Sequence, residues 1–232
     1  MTILEFIDQG GPVSERRHYG QFCGLAVGLD LLGERWTLLI VRELLLGPAR
    51  FNDLLANLPG IGPNLLTRRL RSLVDDGLIE QHRLESDGRG RAYQLTDSGE
   101  RLREPILALA RWGLDQLPHV VERRPERGET RAAWAFLAVE SMIDRSAVPD
   151  VNESYEFNVD DETFHIDVDG GQTFMRRGSA TSPALVIDTD AETFVDIGGR
   201  LTTPFQAVVA GRLKIDGDNE ALARCTRLMG LS

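Results

Sequence analysis

The stretch from Gly62 to Leu95 constrains this chain more than any other. Pro63 suits the first position of a helix, where its missing N–H costs nothing, and Gly62 before it can stand as the N-cap. Gly77 is the matching stop signal. Between them, at about 100° per residue, Leu66, Leu70 and Leu73 gather on one face. Asn64, Arg68 and Arg71 lie on the opposite face, with Thr67 at its edge. Arg69 falls nearer the apolar side, where packing or a structural ion pair suits it. A helix divided in this way buries one side and presents the other. Directly after it Leu78-Ile79 opens a strand and Ala92–Leu95 returns. The tip between them is rich in Gly and Arg (Gly88, Arg89, Gly90, Arg91), which predicts a β-hairpin with a basic end.

Two helices precede this unit. Trp36–Leu46 is an apolar run stopped by Gly47-Pro48. Phe51, Leu54, Leu55 and Leu58 recur at helical spacing until Pro59-Gly60 breaks the pattern. Helix, short turn, helix and basic hairpin make a winged helix-turn-helix. A helix about 10–12 Å across fits the major groove of DNA, where Arg pairs with guanine and Asn with adenine. Asn64, Thr67, Arg68 and Arg71 are therefore the expected base-reading face. Arg89 and Arg91 of the hairpin are expected at phosphate or in the minor groove, with glycines permitting close approach. Asp97 with Glu100 is a capping-box pattern that predicts a long helix to Leu117.

A net charge of −10 seems to oppose a polyanionic partner. Residues 1–118, however, hold 14 basic and 16 acidic side chains, against 12 and 20 in residues 119–232. The acidity is concentrated in the second half, and DNA binding needs only a local basic surface. No stretch approaches the ~18 apolar residues that span a bilayer, and no signal-peptide pattern opens the chain. A cytoplasmic protein with no membrane partner is expected. Cys23 and Cys225 make no disulfide framework, and the four histidines are scattered. No catalytic triad, phosphate loop or metal cluster is visible, so neither an enzyme nor a cofactor is expected.

The expected fold class is α+β, with a DNA-binding and dimerisation domain over 1–118 and a linker over 119–130, where Pro118, Pro125 and Gly128 interrupt the pattern. A sheet-and-helix domain is expected over 131–232. There, Arg131–Ile143 is an apolar-faced helix. Tyr155, Phe157 and Val159 alternate with polar residues, as do Phe164, Ile166 and Val168, which predicts half-buried strands. Gln172–Arg176, Ala184–Ile187 and Gly211–Ile215 supply three more. Short helices are expected at 191–197, 203–210 and 220–229.

The segment from Cys23 to Trp112 resembles the HxlR family of bacterial winged-helix regulators. The matching residues include Leu31-Leu32-Gly33, Trp36, Arg42-Glu43-Leu44, Gly47-Pro48, Arg50-Phe51 and Leu58-Pro59-Gly60-Ile61. They continue through Arg69-Leu70, Asp76-Gly77-Leu78-Ile79, Tyr93, Leu95-Thr96, Gly99 and Trp112. The resemblance implies a homodimer on a roughly palindromic double-stranded DNA operator. Gly62 stands where the family usually has Ser. Cys23 occupies the position of the family's N-terminal cysteine, which implies either redox sensing or a small buried apolar residue.

The second half resembles the sterol-carrier-protein type of lipid-binding domain through Asp188…Phe194, Gly198, Phe205, Gly211-Arg212-Leu213-Lys214-Ile215 and Gly217-Asp218. It implies a sheet covered by helices around an apolar cavity. Phe174, Phe194, Phe205 and Val209 either line that cavity for an apolar small-molecule effector or fill it as core. Two functions follow: a regulator with an effector domain, or a lipid carrier or enzyme accessory that uses the winged helix as an interaction module.

Overall fold

The computed structural model describes residues 18–83, 91–124 and 126–231. The chain divides into two compact units, Met1–Glu100 and Arg101–Ser232. The first contains α1 (Gly24–Leu32), α2 (Thr37–Leu45), β1 (Ala49–Arg50), α3 (Phe51–Asn57), α4 (Pro63–Asp75), β2 (Ile79–Arg83), β3 (Arg91–Leu95) and α5 (Asp97–Glu100). Its sheet runs β1-β3-β2, antiparallel throughout. Leu66, Leu70 and Leu73 of α4 are buried, as are Ile40, Leu44, Leu54, Leu58 and Ile79 of this unit. Full burial of each such side chain is worth about 1.5–3 kcal/mol, so α4's orientation is set by its leucines.

Two local details differ from the sequence expectation. Trp36, placed inside the second helix by its apolar neighbours, is the N-cap of α2 at φ 80°. The cap after β3 belongs to Thr96 rather than Asp97: its hydroxyl accepts from the Gly99 N–H at 3.2 Å and donates to the Gly77 carbonyl at 2.7 Å. A carboxylate at 97 is one residue too late to receive that N–H. The turn is tight because Gly99 packs against the backbone, where an added Cβ would meet the Leu78 carbonyl oxygen at 2.1 Å. Gly99→Ala should therefore destabilise the winged unit by ~1–3 kcal/mol through overpacking, measurable as a lower denaturant midpoint.

The second unit contains α6 (Arg103–Arg123), α7 (Ala133–Met142), β4 (Glu153–Val159), β5 (Glu162–Asp169), β6 (Gln172–Arg177), β7 (Leu185–Thr189), α8 (Ala191–Gly198), α9 (Pro204–Val209), β8 (Leu213–Gly217) and α10 (Asn219–Leu228). The expected stop at Pro118 is corrected: α6 runs through it to Arg123. Proline removes one i→i−4 bond, and the helix nevertheless runs on past it. Leu114 and Leu117 lie against Gly198 and Gly199, glycines that let the helix come close. The stretch expected as a linker from 119 thus begins inside a helix, and α6 packs with α7 in this unit. Beyond the helix, Arg127 donates to Asp196 at 2.8 Å and to Glu192 at 2.8 Å.

The sheet order is β6-β5-β4-β7-β8, antiparallel except for the parallel β4–β7 pair. Tyr155, Phe157, Phe164 and Ile166 form its buried face, with Phe157 stacked on Phe164 and Phe136 of α7 edge-on to it. The strands are less half-exposed than strict alternation implies. Glu156 and His165, facing each other in register, are also buried. Residues after β6 cross that face: Glu156 accepts the Ala180 N–H at 2.7 Å, and His165 Nδ1 bonds the Gly178 carbonyl at 2.8 Å.

At the edge of this core Arg224 donates from Nε and Nη2 to the two oxygens of Glu153, each at 2.7 Å, and the Tyr155 hydroxyl donates to the same carboxylate. Above all, the Arg224 hydrogen bonds hold the Glu153 carboxyl below its ordinary value. An acid depressed in the folded state stabilises it above the unfolded pKa, and that contribution is lost as pH falls through the folded one. Glu153→Gln should therefore narrow the gap in Tm between pH 7 and pH 3, read by thermal melts at both.

Candidate nucleic-acid interface and apolar cavity

Asn64, Thr67, Arg68 and Arg71 are all exposed along one side of α4, while Leu65 and Arg69 are half-buried. Arg69 turns inward as the helical projection requires, donating from Nη2 to Glu34 at 2.7 Å and from Nε to the Arg35 carbonyl at 3.0 Å. Among the described residues neither Arg68 nor Arg71 is engaged in a hydrogen bond or ion pair. Thr67 differs: its hydroxyl donates to the Pro63 carbonyl at 2.9 Å. The residue is exposed, and a threonine methyl suits contact with a thymine methyl. Gly62 caps α4 without a side chain. The turn before it is backed by Trp36, whose indole lies 3.6 Å from where a Cβ on Gly60 would stand. That support was invisible in the sequence, where Trp36 read only as part of an apolar run.

Arg91 is exposed at the start of β3, and its Nη1 donates to Gln81 on the neighbouring strand at 3.2 Å. Arg89 lies outside the described residues. Cys23 is exposed and caps α1, its Sγ accepting from the Ala26 N–H at 3.4 Å. Within a single chain Cys23 is therefore not packed into the core.

The four apolar residues expected to share a cavity do not meet. Of the four, only Phe194 lines the small apolar cavity of the second unit, together with Met142, Phe157, Ile197, Leu213 and Met229. Phe205 and Val209 are exposed on α9, at 76% and 72%. Phe174 is half-exposed on the edge strand β6 and borders a separate groove with Trp112 and Arg176. The reason is geometric: α9 turns its small residue, Ala207, inward against Ile197 and Leu213, which sends its larger neighbours out. The cavity holds about 70 Å³. Ligand pockets run to roughly 300–1,000 Å³, so side chains nearly fill it. Cys225 also lines it, and burial pushes its thiol up to about 12.

Residues 31–121 match the family model described as HxlR-like helix-turn-helix. An uncharacterized HTH-type transcriptional regulator of Mycobacterium tuberculosis is 44% identical over 116 residues, which is 49% of this chain and 68% of that protein. This chain belongs to the HxlR-like family. The regulator YtfH of Escherichia coli is 30% identical to this HxlR-like chain over 115 residues, covering 50% of it and 91% of YtfH. The reduced form of the regulator YodB from Bacillus subtilis aligns over 41% of this chain and 94% of its own at 30% identity, with a TM-score of 0.37. Residues 135–230 match the model of the SCP-2 sterol transfer family. The fold is thus a winged helix-turn-helix followed by an α+β unit of SCP-2 type, in a transcription regulator that binds DNA.

The two thiols of this HxlR-like protein should differ sharply in access. A maleimide at pH 7 should label Cys23 alone in the native protein, and Cys225 only after unfolding. Mass spectrometry of the labelled peptides reads this directly.

Proposed function

We propose that the protein is a sequence-specific regulator that binds a palindromic operator as a homodimer, reading bases with Asn64, Thr67, Arg68 and Arg71. The observation that carries this is the division of α4: three leucines buried, four polar side chains outward, and two arginines unengaged among the described residues. Arg91, with Arg89, is assigned to the phosphate backbone or minor groove. Dimerisation is supported by α1, an apolar helix in which only Ala26 is buried while Leu25, Val27, Leu29 and Leu31 are exposed. Such a face needs a partner, and a second copy supplies it with two-fold symmetry. Half-sites about one helical turn apart follow from that symmetry.

We further propose that the SCP-2-type unit senses an apolar small molecule. The lining of the cavity is chemically suited to one. At about 70 Å³ it must open to admit a lipid-sized effector, and that requirement couples binding to conformation: a ligand preferring the open form shifts the equilibrium, by ~1–3 kcal/mol in typical allosteric cases. The SCP-2 match over 135–230 also favours a second reading, a carrier whose winged helix is an interaction module. Salt dependence separates the two. A regulator retains tight operator binding at physiological salt, whereas non-specific electrostatic binding collapses.

Footprinting across genomic DNA identifies the operator. On it, Arg68→Ala and Arg71→Ala should each cost ~1–3 kcal/mol and relax specificity at one position. Arg91→Ala should weaken all sequences together and flatten the salt slope. Unchanged operator affinity in Arg68→Ala and Arg71→Ala would remove α4 from base reading.

A further inference from the structure

The short connection between α1 and α2, residues 33–36, is held against the flank of α4. Arg69 donates to the Glu34 carboxylate at 2.7 Å and to the Arg35 carbonyl at 3.0 Å. The charge of Glu34 and the backbone of Arg35 are both committed to α4 in this way. The Arg35 side chain is not. It is exposed, and among the described residues its guanidinium makes no hydrogen bond or ion pair. Instead it lies over the Trp36 ring, 5.4 Å from the ring centroid.

Trp36 is an unusual platform. At φ 80° it stands in the left-handed region, where a bulky residue is an outlier that persists only when its surroundings hold it. Those surroundings are visible: Trp36 is the N-cap of α2, and its ring backs Gly60 in the turn before α4. A cation is attracted to the face of such a ring, so the guanidinium is held at one place rather than spread over the many rotamers of a free arginine.

The geometry of α4 says where that place is. At about 100° per residue, Arg69 lies one step round the helix from Arg68, which edges the outward face formed with Asn64 and Arg71. On the other side of Arg69 come the buried leucines. The connection therefore runs along the flank of α4 between its core side and Arg68. Arg35 borders the outward face without belonging to the helix. With Glu34 paired to Arg69, the cations of Arg35 and Arg68 are left unopposed along this edge.

We propose that Arg35 is a phosphate contact, an inference that rests on α4 being the reading helix: with α4 in the major groove, Arg35 meets the DNA backbone that forms the adjoining groove wall. The groove is about 12 Å wide, and a helix with its side chains is about 10–12 Å across. A group carried beside the helix therefore meets backbone rather than base edges. The guanidinium fork matches a phosphate with two parallel hydrogen bonds. Contacts of this kind fix the register and tilt of a reading helix and carry no sequence information themselves. Arg69 and Trp36 tie this cation to α4 and to the turn before it, so the anchor and the reading face form one rigid piece. A merely solvated arginine resting on its neighbour's ring would leave DNA binding untouched.

The test compares the affinity of the full chain for its footprinted operator and for a random-sequence duplex of equal length, from about 50 to 200 mM salt. Arg35→Gln should weaken both duplexes by the same factor and lower the slope of log K against log [salt] by about 0.9. Arg35→Lys should restore the slope, since a point charge serves at a phosphate. Both variants should keep the wild-type Tm, which confirms folding. Arg227→Gln removes an exposed charge on α10 and should leave the slope unchanged. The proposal fails if Arg35→Gln keeps the wild-type slope, or if Arg227→Gln lowers it equally. A relaxed preference at one operator position in Arg35→Gln would overturn it too, making the residue a base contact. An unchanged slope in Arg35→Gln beside lost affinity in Arg68→Ala and Arg71→Ala overturns the Arg35 contact alone. A lowered slope beside unaffected Arg68→Ala and Arg71→Ala supports that contact and removes α4 from base reading.

Discussion

Everything in the winged unit rests on the burial of the α4 leucines. Leu66, Leu70 and Leu73 recur so that one side of a rigid helix is committed to the core, and the opposite side has no choice but to face outward. Rotation about the helix axis, which would hide Arg68 and Arg71, would expose three leucines at several kcal/mol. The Arg69 clasp on Glu34 and the Arg35 carbonyl adds direction to what burial enforces. An exposed ion pair of this kind contributes little stability by itself. Its effect is to pin α4 to the segment before α2, so that the helix's outward face is positioned by two independent restraints.

The second unit is organised by close approach instead. Gly198 and Gly199 bring the end of α8 against Leu114 and Leu117, which anchors α6 just before Pro118, and the helix runs on to Arg123. That anchor comes from residues some eighty positions away in sequence, out of reach of any local rule. The same holds for Glu156 and His165. Their alternation marked them as solvent-facing, and only the chain crossing over them reveals otherwise.

What the sequence made legible follows this division. Periodicity and caps found α4, its hairpin and the strands of the second unit because those signals are local. The outward face of α4 was readable for the same reason, since it is the complement of a leucine stripe. The residues expected at the cavity were not. Phe205 and Val209 are apolar and look like core until Ala207 is seen to occupy the inward position. Aromatic character identifies a residue that favours burial, but not which side of a six-residue helix is available. Likewise Thr96 displaced Asp97 as the cap through one residue of register, a difference set by where β3 ends.

The parallel pairing of β4 with β7 reaches beyond architecture. Between them in sequence lie β5 and β6, which hairpin away on the other side, so the chain must cross back before β7 can dock. Pairings between sequence-distant strands form slowly, because loop closure precedes any reward. On a ribosome the winged unit is complete once Glu100 has emerged, whereas the sheet unit still lacks its central seam. At ordinary synthesis rates β7 follows β4 off the ribosome by on the order of a few seconds. For that time the edge of β4 that β7 will occupy is an open template for any passing strand, and the burden of chaperoning this protein falls on its second half.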